Sequence, residues 1–311
     1  METPEFTKPS QPDSDPILQI HRRHDGWVSF HRKNPDSGEH EDLFSVKARD
    51  IDRYFPSMSP LLERDAYFSV NGFFRGGHGV ARNSPADLYL NRAERKTDSL
   101  RWLTACYADI DCHSLGISTG QAIGGIIDAQ DQGRIPPSSM LTRSGRGVWC
   151  FWFLVDDEDE RKPARAWPEA IRLYCNLQNR IGREFTAIGA DANARDAVRI
   201  TRVPGSINSK ARRRVSYWVQ GDEDGKPFVY RLDELADELG VKVPKRTPKL
   251  ESDVADYAVQ RARGAWRGRW INARENFERL WELRGTFKPG TRNAAVFLYV
   301  TLLRGLRLDQ E

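Results

Sequence analysis

The chain carries an Asp-x-Asp pair, Asp109 and Asp111 in Tyr107-Ala108-Asp109-Ile110-Asp111, and a third aspartate, Asp191, 80 residues further on. Residues i and i+2 of a strand project from one face, so the pair presents two carboxylates side by side. A third brought beside them would hold two divalent cations. Arg199 and Arg202, eight and eleven positions after Asp191, would then face the anion that the metals hold. Three carboxylates, metals and arginines are the parts that nucleotidyl transfer needs. Asp-x-Asp alone is common on solvated strands. Here Leu103, Ala105, Cys106, Tyr107 and Ala108 precede it, which places the pair at the mouth of a buried strand. Adjacent carboxylates there repel one another unless a cation neutralises them.

Two further segments add to the pattern. Ser144-Gly-Arg146-Gly147 separates two apolar runs, and such a turn can offer backbone N–H groups, a hydroxyl and a guanidinium to phosphate. Taken alone it is more often only a turn. The Asp191 segment continues through Arg199-Ile-Thr-Arg202-Val-Pro-Gly205-Ser-Ile-Asn208-Ser-Lys210 into Arg212-Arg213-Arg214. Basic runs are usually solvated faces, but this one lies between apolar strands and begins with an acid, which suits a strand facing a polyanion. Asp196 is a competing carboxylate that could instead pair with Arg195 or Arg199.

The elements that must position these groups follow from periodicity. Residues 17–33 read as a short helix or strand and then a strand, with a turn-rich loop over 34–40. A strand is expected at 66–72, a polar approach at 85–98, and one buried strand over 100–110. Residues 118–133 have helical spacing with Gly133 as a stop. Met140–Arg143 and Val148–Val155 form a hairpin around the Gly turn. A helix over 162–183, strands at 215–220 and 228–230, and a helix over 232–239 complete an α/β domain at 17–240. Residues 1–16 read as a disordered tail and 241–253 as a linker. Helical patterns at 254–263, 271–284 and 293–306 make a small C-terminal helical domain, 254–311. Its Trp266, Trp270, Phe277 and Trp281 among arginines 261, 263, 267, 269 and 274 suit either single-stranded DNA or a helix core. Leu308–Glu311 could open another helix, so the chain reads as the front part of a longer protein.

Composition excludes several classes. No apolar run approaches the roughly 20 residues of a membrane span, and no signal peptide is legible. The four cysteines lack disulfide-scaffold spacing, so the reading is cytoplasmic. Zinc is not expected, because Cys106-x5-Cys112-His113 fits no standard motif. A net charge of +4 decides nothing by itself; local clustering does.

Asp-x-Asp, a Ser-x-x-Gly hairpin, and Asp-x7-Arg-x2-Arg-Val-Pro-Gly-Ser-x-Asn-x-Lys, in that order, resemble the archaeo-eukaryotic primase superfamily. Within it the match is to the primase–polymerases of plasmids, phages and integrative elements, over about residues 60–220. The tail, Arg284-Gly-x-Phe287-x-x-Gly290-x-Arg292-Asn293-x-Ala-x-Phe297-Leu-Tyr299, resembles the helical primase C-terminal domain. The resemblance implies an α/β (α+β) catalytic domain with a mixed sheet of the RNA-recognition-motif type. It implies a DNA primase or primase–polymerase using two Mg2+ or Mn2+ ions in replication of a mobile element or phage. Asp109, Asp111 and Asp191 would be metal ligands; Ser144, Arg146, Gly147, Arg199, Arg202, Asn208 and Lys210 would bind nucleotide, with Arg92 and Lys96 as further phosphate contacts. The implied partners are a single-stranded DNA template, NTP or dNTP, the nascent primer, and a helicase domain or partner beyond residue 311.

In one place the chain departs from the family. Its hairpin commonly carries a His shortly after the Ser, where this chain has Trp149, and all six histidines lie at or before residue 113. Arg143 and Arg146 could do the phosphate work, nucleotide affinity could be weak, or activity could be lost. The last option leaves a catalytically degenerate nucleic-acid-binding replication-initiation module as the alternative. A metal nuclease is a third reading; a Toprim-type domain fits the motif order poorly, and a rolling-circle nickase would need a His-x-His that is absent.

Overall fold

Two sheets carry the site. The computed structural model describes residues 4–34, 37–74, 76–78, 91–93, 95–191, 193–243, 273–274, 276–285 and 291–305. The chain divides into two units, Met1–Pro244 and Lys245–Glu311.

In the first unit α1 (Asp15–His21) precedes β1 (Trp27–Lys33) and β2 (His40–Lys47), and α2 (Ile51–Met58) leads into β3 (Ala66–Ser69) and β4 (Gly72–Phe73). Then come β5 (Gly76–His78), β6 (Asn91–Ala93), β7 (Leu100–Leu103), β8 (Ala105–Ile110) and α3 (Thr119–Asp131). The hairpin β9 (Met140–Arg143) and β10 (Val148–Leu154) is followed by β11 (Ala164–Arg165) and α4 (Pro168–Glu184). Short strands β12 (Ile200–Arg202), β13 (Ile207–Asn208), β14 (Arg213–Arg214), β15 (Ser216–Val219) and β16 (Val229–Tyr230) end at α5 (Leu232–Glu238).

The first sheet runs β11-β7-β4-β1-β2-β6-β5, with β3 also on β1 and β12 on β3. The second is built around β10, every residue of which is buried. β8 and β9 flank β10 antiparallel, β15 extends from β9, and β16 pairs with β10 in parallel. This is the expected mixed sheet bearing both the Asp pair and the hairpin. Helix α3 starts at a capping box in which Ser118 and Gln121 satisfy each other's backbone N–H groups. Helix α4 is fastened to β8 by side chains: Gln178 accepts from the Tyr107 N–H at 2.9 Å, and the Tyr174 hydroxyl donates to the Ala105 carbonyl at 3.0 Å.

Three expectations are corrected. The apolar run 100–110 is two strands in different sheets, β7 and β8, parted at Thr104. Asn71 Oδ1 accepts from the Thr104 N–H at 2.7 Å, and the Thr104 hydroxyl donates to the Val70 carbonyl. The chain therefore changes sheets without losing a hydrogen bond. The helix expected over 162–183 begins only at Pro168, a residue pre-organised for a first turn; Ala164–Arg165 is a strand on β7. The N-terminal segment expected to be a free tail is docked through Phe6, Thr7 and Asp13. Phe6 is buried, Thr7 pairs with Tyr217 through both backbone bonds, and the Tyr217 hydroxyl donates to Asp13.

In the second unit residues 276–284 are helical and a helix spans Arg292–Gly305. Phe277 is buried, stacks on Tyr299 at 5.6 Å and meets Trp281 edge-on. Phe277 thus belongs to a core, while Trp281 stays partly exposed. The expected helix 254–263, Trp266, Trp270, Arg261, Arg263, Arg267 and Arg269 lie outside the described residues, as does most of the expected linker.

Candidate active site

β8 delivers Asp109 half-buried and Asp111 exposed at its end. The third aspartate is clamped to them through the backbone. The Asp191 N–H donates to the Asp109 carbonyl at 2.8 Å, and the Asp111 N–H donates to the Gly189 carbonyl at 2.9 Å. That bridge holds residues 189–191 against the strand end at ladder distance, about 5 Å. It requires glycine at 189: φ is +94°, and a Cβ there would lie 2.8 Å from the Asp111 carbonyl oxygen. Gly147 meets the same strand end from the hairpin side, where a Cβ would lie 2.6 Å from the Ile110 carbonyl oxygen. Two glycines therefore let the loop and the hairpin close on the Asp pair.

The hairpin is tied in turn to the third segment. Asn208 Nδ2 donates to the Ser144 carbonyl at 2.5 Å, and Asn208 Oδ1 accepts from the Lys210 N–H at 3.2 Å. Ser144 Oγ donates to the Gly147 carbonyl, closing the turn, and Arg146 is exposed at its tip. Asp109, Asp111, Asp191, Ser144, Arg146, Gly147, Arg199, Arg202, Asn208 and Lys210 all line one cleft of about 960 Å3. The structure thus brings these ten residues of the three motifs to one cleft.

Burial pushes the Asp109 carboxyl up to about 7; Arg199 opposes the rise, the Asp191 and Asp111 carboxylates add to it, and a hydrogen bond from the Trp149 indole opposes it. Arg199 is the present counter-charge, with Nη2 3.2 Å from Asp191 and Nη1 3.7 Å from Asp196. Among the described residues no three acidic, imidazole or thiol groups yet converge at metal-binding distance. The donor set is nonetheless all carboxylate oxygen, the chemistry of Mg2+ and Mn2+ sites. The mutual repulsion at Asp109 is the feature a cation would relieve. Asp196 also lines the cleft, but its Oδ1 caps the Val198 N–H and its carbonyl accepts from the Tyr107 hydroxyl. Its backbone is not bound to the Asp pair, which separates it from Asp191.

Trp149 faces Asp109 across the strands and is stacked between Tyr107 at 5.1 Å and Phe151 at 5.7 Å. Its role is thus a buried neighbour of the carboxylate. No histidine stands in within the hairpin, but His40, far earlier in the sequence, lines the cleft beside Lys33, Tyr67 and Arg95. Of the residues expected ahead of the Asp pair, Lys96 is outside the cleft lining, and the side chain of Arg92 is outside the described residues. Asp65 was also missed: its Oδ1 accepts from Arg202 Nη1 at 2.9 Å and from the Ser209 N–H at 3.2 Å. No local spacing marks Lys33, His40 and Tyr67, because they reach the cleft through the pairing of β1 with β2 and β3.

No known family profile matches the chain. A "Replication protein" of Clostridium perfringens is 25% identical over 286 residues, which are 91% of this chain and 59% of the relative. The chain therefore spans about three-fifths of that protein's length. Among solved structures, the primase–polymerase domain of cyanophage S-2L aligns over 74% of this chain and all of that one, with 13% identity and TM-score 0.46. The catalytic domain of primase RepB′, solved with initiator DNA, aligns over 75% of this chain and 95% of that one, with 12% identity and TM-score 0.40.

Proposed function

We propose that this chain is a DNA primase that joins nucleotides on a single-stranded DNA template and can extend the product, in replication of a plasmid or phage. One observation carries the reading: three distant segments bring their carboxylates, hairpin and basic residues to one cleft, with the Asp191 segment held by backbone bonds from Asp191 to Asp109 and from Asp111 to Gly189. Asp109, Asp111 and Asp191 would hold two Mg2+ or Mn2+ ions once Arg199 releases Asp191. Bound there, the cations would supply activation of the strand's 3′-hydroxyl and neutralisation of the departing pyrophosphate. Ser144, Arg146 and Lys210 orient the triphosphate. Arg199, freed from Asp191, and Arg202, fixed by Asp65, oppose the negative charge that builds on the phosphates.

The test is synthesis of short products from NTPs or dNTPs on single-stranded templates with Mg2+ or Mn2+. Asp109→Ala and Asp111→Ala should abolish synthesis and leave folding and DNA binding nearly intact; undiminished synthesis by either variant refutes the assignment. Trp149 in the hairpin and the Arg199–Asp191 ion pair favour one second reading, a primase-fold module that binds nucleic acid without catalysis. A wild-type protein that binds DNA yet forms no product would establish it.

A further inference from the structure

The cleft has a second wall, built by the other sheet. Lys33 ends β1 and pairs in register with His40, which begins β2. The His40 ring is exposed and stands edge-on to Tyr67 at 4.5 Å and 89°. The Arg202 guanidinium lies over the same Tyr67 ring at 4.7 Å. Arg95 completes the wall; its Nη1 donates to the Val198 carbonyl at 2.6 Å, and its Nε is buried without a partner.

Charge on this wall is unbalanced. Arg202 is satisfied by Asp65, but among the described residues Lys33 and Arg95 form no ion pair. The nearby acids of β2 are engaged elsewhere, Glu41 with Asn34 at 2.7 Å and Asp42 with His31 at 2.6 Å. Partial burial and then the positive charges of Lys33, Arg95 and Arg202 hold the His40 imidazole down to about 4. His40 is therefore a neutral aromatic edge beside Lys33 and Arg95, neither of them ion-paired among the described residues. Cationic side chains interleaved with an exposed aromatic ring are the means by which single nucleic-acid strands are gripped. The hairpin and Lys210 already serve the triphosphate on the first wall, so the second wall is left for the other polyanion of the reaction.

We propose that Lys33, His40 and Arg95 bind the sugar–phosphate backbone of a single DNA strand and lead it to the carboxylates. This rests on the nucleotidyl-transfer reading only for what occupies the first wall. Lys33 and Arg95 contact phosphates, and His40 packs against sugar or base while Tyr67, wedged by Arg202, fixes its position.

The experiment compares the whole protein with Lys33→Ala/His40→Ala and with the charge reversal Lys33→Glu. Fluorescence anisotropy with a labelled oligo-dT gives affinity across a salt series, and equilibrium titrations give NTP and Mn2+ affinity. The double variant should bind oligo-dT about tenfold more weakly, with a salt slope smaller by about 0.7 for each phosphate that is no longer neutralised. Lys33→Glu should bind more weakly still, and NTP and Mn2+ affinity should hold in both. Unchanged DNA affinity and slope overturn the proposal, as does an effect confined to NTP. Failure of the wild type to synthesise would sink the primase reading and leave this wall standing if the DNA result holds.

Discussion

Gly147→Ala tests whether the hairpin must lie against the Asp pair. Its backbone needs no left-handed conformation, so the substitution acts through sterics alone. The new methyl would lie 2.6 Å from the Ile110 carbonyl oxygen, about 0.8 Å inside ordinary contact. The obstacle is backbone on β8, the strand that carries Asp109 and Asp111, so relief must come from moving the hairpin. Overpacking of this kind costs about 2 kcal/mol, or about 4–8 °C in a domain of this size. The larger effect is on catalysis: displacement approaching 1 Å in a reacting site costs about 10²-fold. Gly124→Ala is the control, because no atom lies within 4 Å of its added methyl. It sits inside α3, where alanine should gain up to about 1 kcal/mol over glycine. Thermal melts, NTP titration and primer synthesis are read for both. A Gly147→Ala protein that keeps wild-type synthesis and nucleotide affinity would show that the close approach is incidental.

Three other predictions follow from interactions away from the carboxylates. The Asp65 and Arg202 side chains are each only 14% exposed, so Asp65→Ala should destabilise by about 2 kcal/mol; a double-mutant cycle with Arg202→Ala that shows no coupling contradicts the pair's role. Buried His21, its imidazole lowered to about 4, is neutral when folded but titrates near 6.5 when unfolded. Its contribution is complete above 6.5 and is lost as pH falls toward 4, by about 3 kcal/mol; a urea midpoint constant across that window refutes it. Phe6→Ala should cost about 3 kcal/mol, since Phe6 seals the docked N-terminal segment; an unchanged melting temperature would return that segment to a free tail.

What was legible in the sequence was local. The Asp pair, the Gly turn and the Asp191–Lys210 segment each carry their chemistry within a few residues, and burial of β10 follows from its unbroken apolar run. Helix α3 was legible for the same reason, from its apolar spacing and the Gly133 stop, although the Ser118–Gln121 capping box was not. Non-local facts were not legible. Thr104 changes sheets because Asn71, 33 positions earlier, takes over its N–H. His40 and Lys33 enter the cleft through the pairing of β1 with β2 and β3. The polar tail docks because Thr7 finds an edge on Tyr217, some 200 residues away. None of these pairings leaves a periodic trace in the segments themselves.

Equilibrium binding of Mn2+ bears most directly on the central claim, that Asp109, Asp111 and Asp191 form one cation site. The wild type should bind two ions, Asp109→Asn, Asp111→Asn and Asp191→Asn should each lose that binding, and Asp196→Asn should retain it. A wild type that binds no Mn2+, or an Asp191→Asn variant that binds it unchanged, would contradict the account.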